Sequence, residues 1–123
     1  MEIWRTITDF PKYEVSDAGE VRRKGSKRPL KPFVDRLQEY GRVTLRKDGE
    51  KRRKVMVHVL VMEAFVGRKE EGMEIDHINT DRSDNRLSNL RYVTPKENRN
   101  NPLTVLNNRR RFGPQRVSEQ YLF

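Results

Sequence analysis

A chain of 123 residues has room for one compact domain, or a core with a small appendage, but not for two full domains. Hydrophobic residues make up 33% and charged residues 37%, so the core must be modest and the surface heavily charged. The lack of cysteine excludes disulfides, thiolate-held zinc and a thiol nucleophile, and two histidines leave any metal to be held largely by oxygen.

No apolar run approaches membrane-spanning length, and the first residues lack a signal peptide's apolar stretch, which predicts a soluble cytoplasmic protein with no membrane partner. The net charge of +9 is unevenly placed. Residues 22–54 hold fourteen Lys or Arg against four Asp or Glu, a local excess of ten, while the remaining thirteen basic and fourteen acidic residues nearly cancel. A concentrated basic region suits a polyanion, because phosphate contacts release condensed counterions. The bland alternative is a solvated charged face.

In chain order, residues 1–23 carry spaced aromatics at Trp4, Phe10 and Tyr13, with Trp4 expected in the core. Tyr13–Ser16 and Glu20–Arg22 flank Asp17-Ala18-Gly19, which predicts a short hairpin. Residues 24–32 read as a basic loop. Val43–Lys47 alternates, Asp48-Gly49 signals a turn, and Arg53–Val57 returns, which predicts a second hairpin. The period then changes: Val57, Leu60, Val61, Ala64 and Phe65 follow helical spacing, predicting a helix over about 57–65 that Gly67 ends.

Met73–His77 predicts a strand, followed by a polar loop and a second strand at Leu90–Val93. Thr94-Pro95-Lys96-Glu97 is a helix start: Thr94 can cap, Pro95 suits the first helical position and Glu97 completes a capping box. Pro102 keeps that helix short. The tail from Leu103, with Arg109-Arg110-Arg111 and Tyr121-Leu122-Phe123, reads as either a phosphate-binding arm or a frayed end.

Four residues could carry chemistry: Asp76 and His77 at a strand end, Asn89 before the next strand, and Asn98 on the following helix. Asp76 and Asn98 offer hard oxygen ligands suited to Mg²⁺ or Mn²⁺. His77 is able to take a proton from water near neutral pH, and a cation would polarise a phosphate. Asn89 cannot act as a base, but its amide can hold the His77 loop. Against this, an Asp-His pair in a turn is often structural, and Asn79, Asn85, Asn89 and Asn100 all suit turns and caps.

The stretches Val57-His58-Val59-Leu60-Val61-Met62-Glu63-Ala64-Phe65, Ile75-Asp76-His77-Ile78-Asn79 and Asn85 through Asn98 resemble the HNH endonucleases, nearest to the subgroup of phages and mobile introns. Trp4, Ile7, Phe10, Tyr13-Glu14-Val15-Ser16, Gly19 and Val21-Arg22 resemble the small modular domain that often precedes that nuclease. The resemblance implies an α+β fold in three parts: a β-hairpin-rich basic module over 1–54, a ββα-metal core over 55–102 and a basic tail over 103–123. It implies Asp76 and Asn98 as ligands of one Mg²⁺ or Mn²⁺, His77 as general base and Asn89 as the residue orienting it. The product expected is a nick in double-stranded DNA with a 5′-phosphate and a 3′-hydroxyl, made by a monomer or weak dimer that a phage encodes and a bacterial cytoplasm houses.

Many relatives have histidine where Asn98 stands, and the amide oxygen that here replaces an imidazole favours hard cations over zinc or nickel. Intron-type relatives often continue into a further DNA-binding region, so long-site specificity is not expected here. Candidate DNA contacts are Arg22, Arg23, Lys24, Arg46, Lys51, Arg52, Arg53, Arg91 and Arg99, and His58 is expected to make a structural hydrogen bond or a phosphate contact. The alternatives are a DNA-binding module without catalysis and, further off, an RNA-binding basic protein.

Overall fold

The computed structural model describes residues 1–102, so the basic and aromatic motifs of the tail lie outside the described residues. The elements run β1 (Trp4–Ile7), β2 (Phe10–Ser16), β3 (Val21–Arg23), β4 (Phe33–Val34), β5 (Gly41–Leu45), β6 (Arg53–Met56), α1 (Val57–Phe65), β7 (Glu74–His77), β8 (Leu90–Val93) and α2 (Pro95–Arg99). The strands form three antiparallel sheets, ordered β1-β2-β3, β4-β5-β6 and β7-β8. This is the mixed strand-and-helix class expected.

Helix α1 is the element that all three sheets share. Its start has no side-chain cap, so packing must hold it, and Val57, Leu60, Val61 and Met62 are buried. Each such side chain contributes roughly 1.5–3 kcal/mol by leaving water. Ile7, Phe10, Tyr13, Val15 and Val21 reach it from the first sheet, Val43 and Leu45 from the second, and Leu90 from the third, in one continuous cluster. Tyr92 ties the third sheet to the end of α1 by donating its hydroxyl to the Gly67 carbonyl at 2.6 Å.

Two expectations change, and one strand was not foreseen. Residues 4–7 form a strand, paired to β2 from Trp4↔Ser16 to Ile7↔Phe10. Trp4 is only half-buried, its ring covered by the Arg22 guanidinium at 3.6 Å rather than by the core. In the second hairpin Leu45 pairs with Arg53, so residues 46–52 form a longer loop around the Asp48-Gly49 turn.

The β2–β3 turn carries the contact that matters for the site. Ser16, fully buried, accepts the Ala18 and Glu20 amides on its Oγ, and Gly19 takes φ +85°. The turn then docks on the segment ahead of β8, with the Leu87 amide donating to the Asp17 carbonyl at 2.8 Å. Loop 35–40 reaches the same region, where Arg82 donates to the Gln38 carbonyl at 3.1 Å.

Candidate active site

Asp76 and His77 end β7, and adjacent residues leave a strand on opposite sides. Asp76 lies across from Arg91 in the β7–β8 register. Its side chain is 4% exposed, and its Oδ2 accepts from Arg91 Nε at 2.9 Å and from Asn101 Nδ2 at 3.0 Å. Both contacts fall on Oδ2, which leaves Oδ1 as the oxygen to offer a cation. Glu74, two residues back on the same side, accepts from Asn98 Nδ2 at 2.8 Å. That bond orients the Asn98 amide and leaves its carbonyl oxygen to act as a donor. Asn98 is in place because α2 starts with the full capping box, Thr94 and Glu97 each accepting the other's backbone N–H. Among the described residues there is no cluster of three His, Cys, Asp or Glu able to hold a metal, so a cation here would rest on one carboxylate, one amide oxygen and outside ligands.

His77 turns toward α1. Its ring packs edge-on against His58 with centroids 5.0 Å apart, and Tyr40 lies tilted beside both, 5.1 Å from His58 and 6.0 Å from His77. His58 is buried and its Nδ1 has no hydrogen-bond partner, so the structural bond expected there is not made at that atom. Burial, and secondarily the neighbouring His77, hold the His58 imidazole neutral with its pKa lowered to about 4. A cavity of about 450 Å³ opens beside it, lined by Tyr40, His58, Glu74 and Asn98 among others.

The polar partner of His77 differs from the one expected. Its Nε2 lies 2.9 Å from Asn85 Oδ1, inside the fold. Asn89 instead holds the loop that follows: its Oδ1 accepts the Asn79 amide at 3.0 Å, and its Nδ2 donates to Asn79 Oδ1 and to the Asp84 carbonyl. Asp84 is fixed in turn by Arg86 and Asn79, and the Arg86 hydrogen bond leads the effects that lower its pKa to about 2. Sequence reasoning passed over Asn85 because it looks like every other turn asparagine in the loop.

This geometry belongs to a segment with known counterparts. A family model described as HNH endonuclease matches residues 55–100, and one described as NUMOD4 motif matches residues 2–46. The chain carries an HNH endonuclease domain behind a NUMOD4 motif. It is homologous to DNA endonuclease I-HmuI of Bacillus phage SP01, 35% identical over 102 residues that cover 82% of this chain and 58% of that protein. An uncharacterized HNH endonuclease, L247 of Acanthamoeba polyphaga mimivirus, is 35% identical over 101 residues, 79% of this chain and 25% of that one. The solved structure of DNA binding and cleavage by the HNH homing endonuclease I-HmuI aligns with a TM-score of 0.71 at 34% identity, over 90% of this chain and 60% of that chain. The chain therefore spans little more than half the length of I-HmuI.

Asp76, His77, Asn85, Asn89 and Asn98 all fall within the HNH match. The NUMOD4 match holds Arg22, Arg23, Lys24 and Arg46. Arg22 is already engaged, paired with Glu14 at 2.7 Å and stacked on Trp4. Arg23, Lys24 and Arg46 are exposed around a groove of about 560 Å³ that Lys12 and Tyr13 also line. Lys51, Arg52 and Arg53 are exposed on the loop and strand that lead into α1, and Arg99 is exposed at the end of α2. Arg91 is the exception among the expected phosphate contacts: its Nε is committed to Asp76, and it is 46% exposed. No helix among the described residues is long and apolar enough to cross a membrane.

Proposed function

We propose that this chain is a divalent-metal-dependent DNA endonuclease that nicks one strand of a duplex, leaving a 5′-phosphate and a 3′-hydroxyl. The observation that supports the reading is that Asp76, His77 and Asn98 all fall within the HNH match, Asp76 and His77 buried at the end of β7 and Asn98 tied to the same strand through Glu74. Asp76 and Asn98 are the residues that would hold Mg²⁺ or Mn²⁺, since a carboxylate and an amide oxygen are hard donors. The cation would stabilise charge on the scissile phosphate and the leaving oxygen. His77 takes the proton of the attacking water, and Asn89 keeps the 79–84 loop closed beneath it. The exposed cations of the NUMOD4 segment and of residues 51–53 lie along the duplex. Both named relatives come from viruses, which supports a phage or viral origin.

One observation favours the second reading, a DNA-binding module without catalysis: Asp76 is already paired with Arg91 and hydrogen-bonded by Asn101. Supercoiled-plasmid cleavage separates the two. Metal-dependent nicking by the wild type, lost with EDTA and in His77→Ala, supports the nuclease. DNA binding that leaves the plasmid intact with Mg²⁺ and Mn²⁺ would establish the binding module instead. Robust Zn²⁺-dependent cutting would contradict the assignment of hard ligands, and linear product without a nicked intermediate from a monomer would contradict nicking.

A further inference from the structure

We propose that Asn85, seated between Gly19 and Gly41 of the N-terminal strands, is the positioning residue that holds the His77 ring with Nε2 protonated and Nδ1 free to accept a proton. The inference deepens the proposed function and rests on His77 being the base there.

An amide oxygen can only accept, so the 2.9 Å contact between Asn85 Oδ1 and His77 Nε2 requires the ring proton on Nε2. The lone pair is then on Nδ1. Both side chains are buried, so little water is at hand to compete for either partner. The aromatic neighbours His58 and Tyr40 restrain the plane of the ring but do not choose between its nitrogens. Asn85 makes that choice.

The N-terminal strands in turn fix Asn85. A methyl group on Gly19 would lie 2.7 Å from the Asn85 carbonyl oxygen and 2.8 Å from its carbonyl carbon. One on Gly41 would lie 3.2 Å from Asn85 Nδ2. The chain on either side of Asn85 is anchored as well, by Asn89 bonding the Asp84 carbonyl and by Asp17 accepting the Leu87 amide. The NUMOD4 segment therefore forms a wall of the catalytic site as well as an approach to DNA.

The test is long-range ¹H–¹⁵N NMR of the His77 ring in the metal-free full chain, at a pH where the ring is neutral. Wild type is compared with Asn85→Leu, which removes the acceptor, and Asn85→Asp, which keeps one. The wild type should show the Nε2–H tautomer, Asn85→Leu a mixture, and Asn85→Asp the wild-type pattern. Cleavage by Asn85→Leu should fall about 10- to 100-fold in kcat with little change in KM, and recover in Asn85→Asp. An Nδ1–H tautomer in the wild type overturns the proposal even if Asn85→Leu does not fold. An unchanged tautomer in a folded Asn85→Leu overturns it too. A wild type that cuts no DNA would sink the proposed function while leaving the tautomer result to decide the role of Asn85.

Discussion

Gly19 and Asn85 touch backbone to backbone, with no space for a side chain between the β2–β3 turn and the segment ahead of β8. Gly19 also holds φ +85°, where an L side chain is strained. Gly19→Ala therefore meets two penalties at once, and the variant is expected to lose about 2–4 kcal/mol of stability. Urea unfolding reads this as a lower midpoint at unchanged slope. An alanine variant as stable as wild type would show that the turn does not dock as described.

His58 should make stability depend on pH. Its pKa falls from 6.5 to about 4 on folding, so the unfolded chain binds its proton first. The contribution is complete above 6.5 and is lost as pH falls toward 4, about 3 kcal/mol in all. Asp84 acts in a lower window: its pKa drops from 3.8 to about 2, so its contribution is present above 3.8 and fades below it. His58→Phe keeps a ring in the slot and should flatten the stability profile between pH 6.5 and 4. An unchanged slope in that window would place the effect elsewhere.

These features differ in how far the sequence revealed them. Helix α1 was legible because five apolar residues keep helical spacing, and α2 because its capping box is a local interaction within four residues. Strand β1 was hidden: Arg5 and Thr6 are exposed, and the pairing that makes it a strand comes from β2. Asp76 and His77 stood out by residue type, yet the pairing of Asp76 with Arg91 needed the β7–β8 register. The partner of His77 depends on the path of the 78–86 loop, which composition alone does not set. Asn85 and Asn89 are chemically the same, and only position sends one to the ring and the other to the backbone.

The pairing of Arg91 with buried Asp76 implies competition between guanidinium and cation. Arg91→Ala leaves the carboxylate without its counter-charge; because Arg91 is 46% exposed, the loss is expected at about 1–2 kcal/mol rather than the larger figure for a fully buried pair. If Asp76 is a metal ligand, Mg²⁺ should raise the Tm of Arg91→Ala more than that of wild type, since the cation then meets an unpaired carboxylate. Thermal melts with and without Mg²⁺ measure both effects. Equal Mg²⁺ shifts in the two proteins would argue against direct ligation by Asp76.

Lys24 and Arg46 are exposed cations beside the groove of the NUMOD4 segment, Arg46 giving only its Nε to the Glu50 carbonyl, whereas Arg22 is tied to Glu14 and Trp4. If both contact phosphates, replacing them with glutamine removes two released counterions. The slope of log K against log salt should then become shallower by about 2, with affinity lost evenly across duplex sequences. Arg22→Gln should change the slope less and stability more, because its guanidinium works inside the fold. Fluorescence anisotropy with a labelled duplex over a range of NaCl gives the slopes. An unchanged slope in the Lys24→Gln/Arg46→Gln variant would move the DNA path away from this groove and toward the exposed 51–53 stretch.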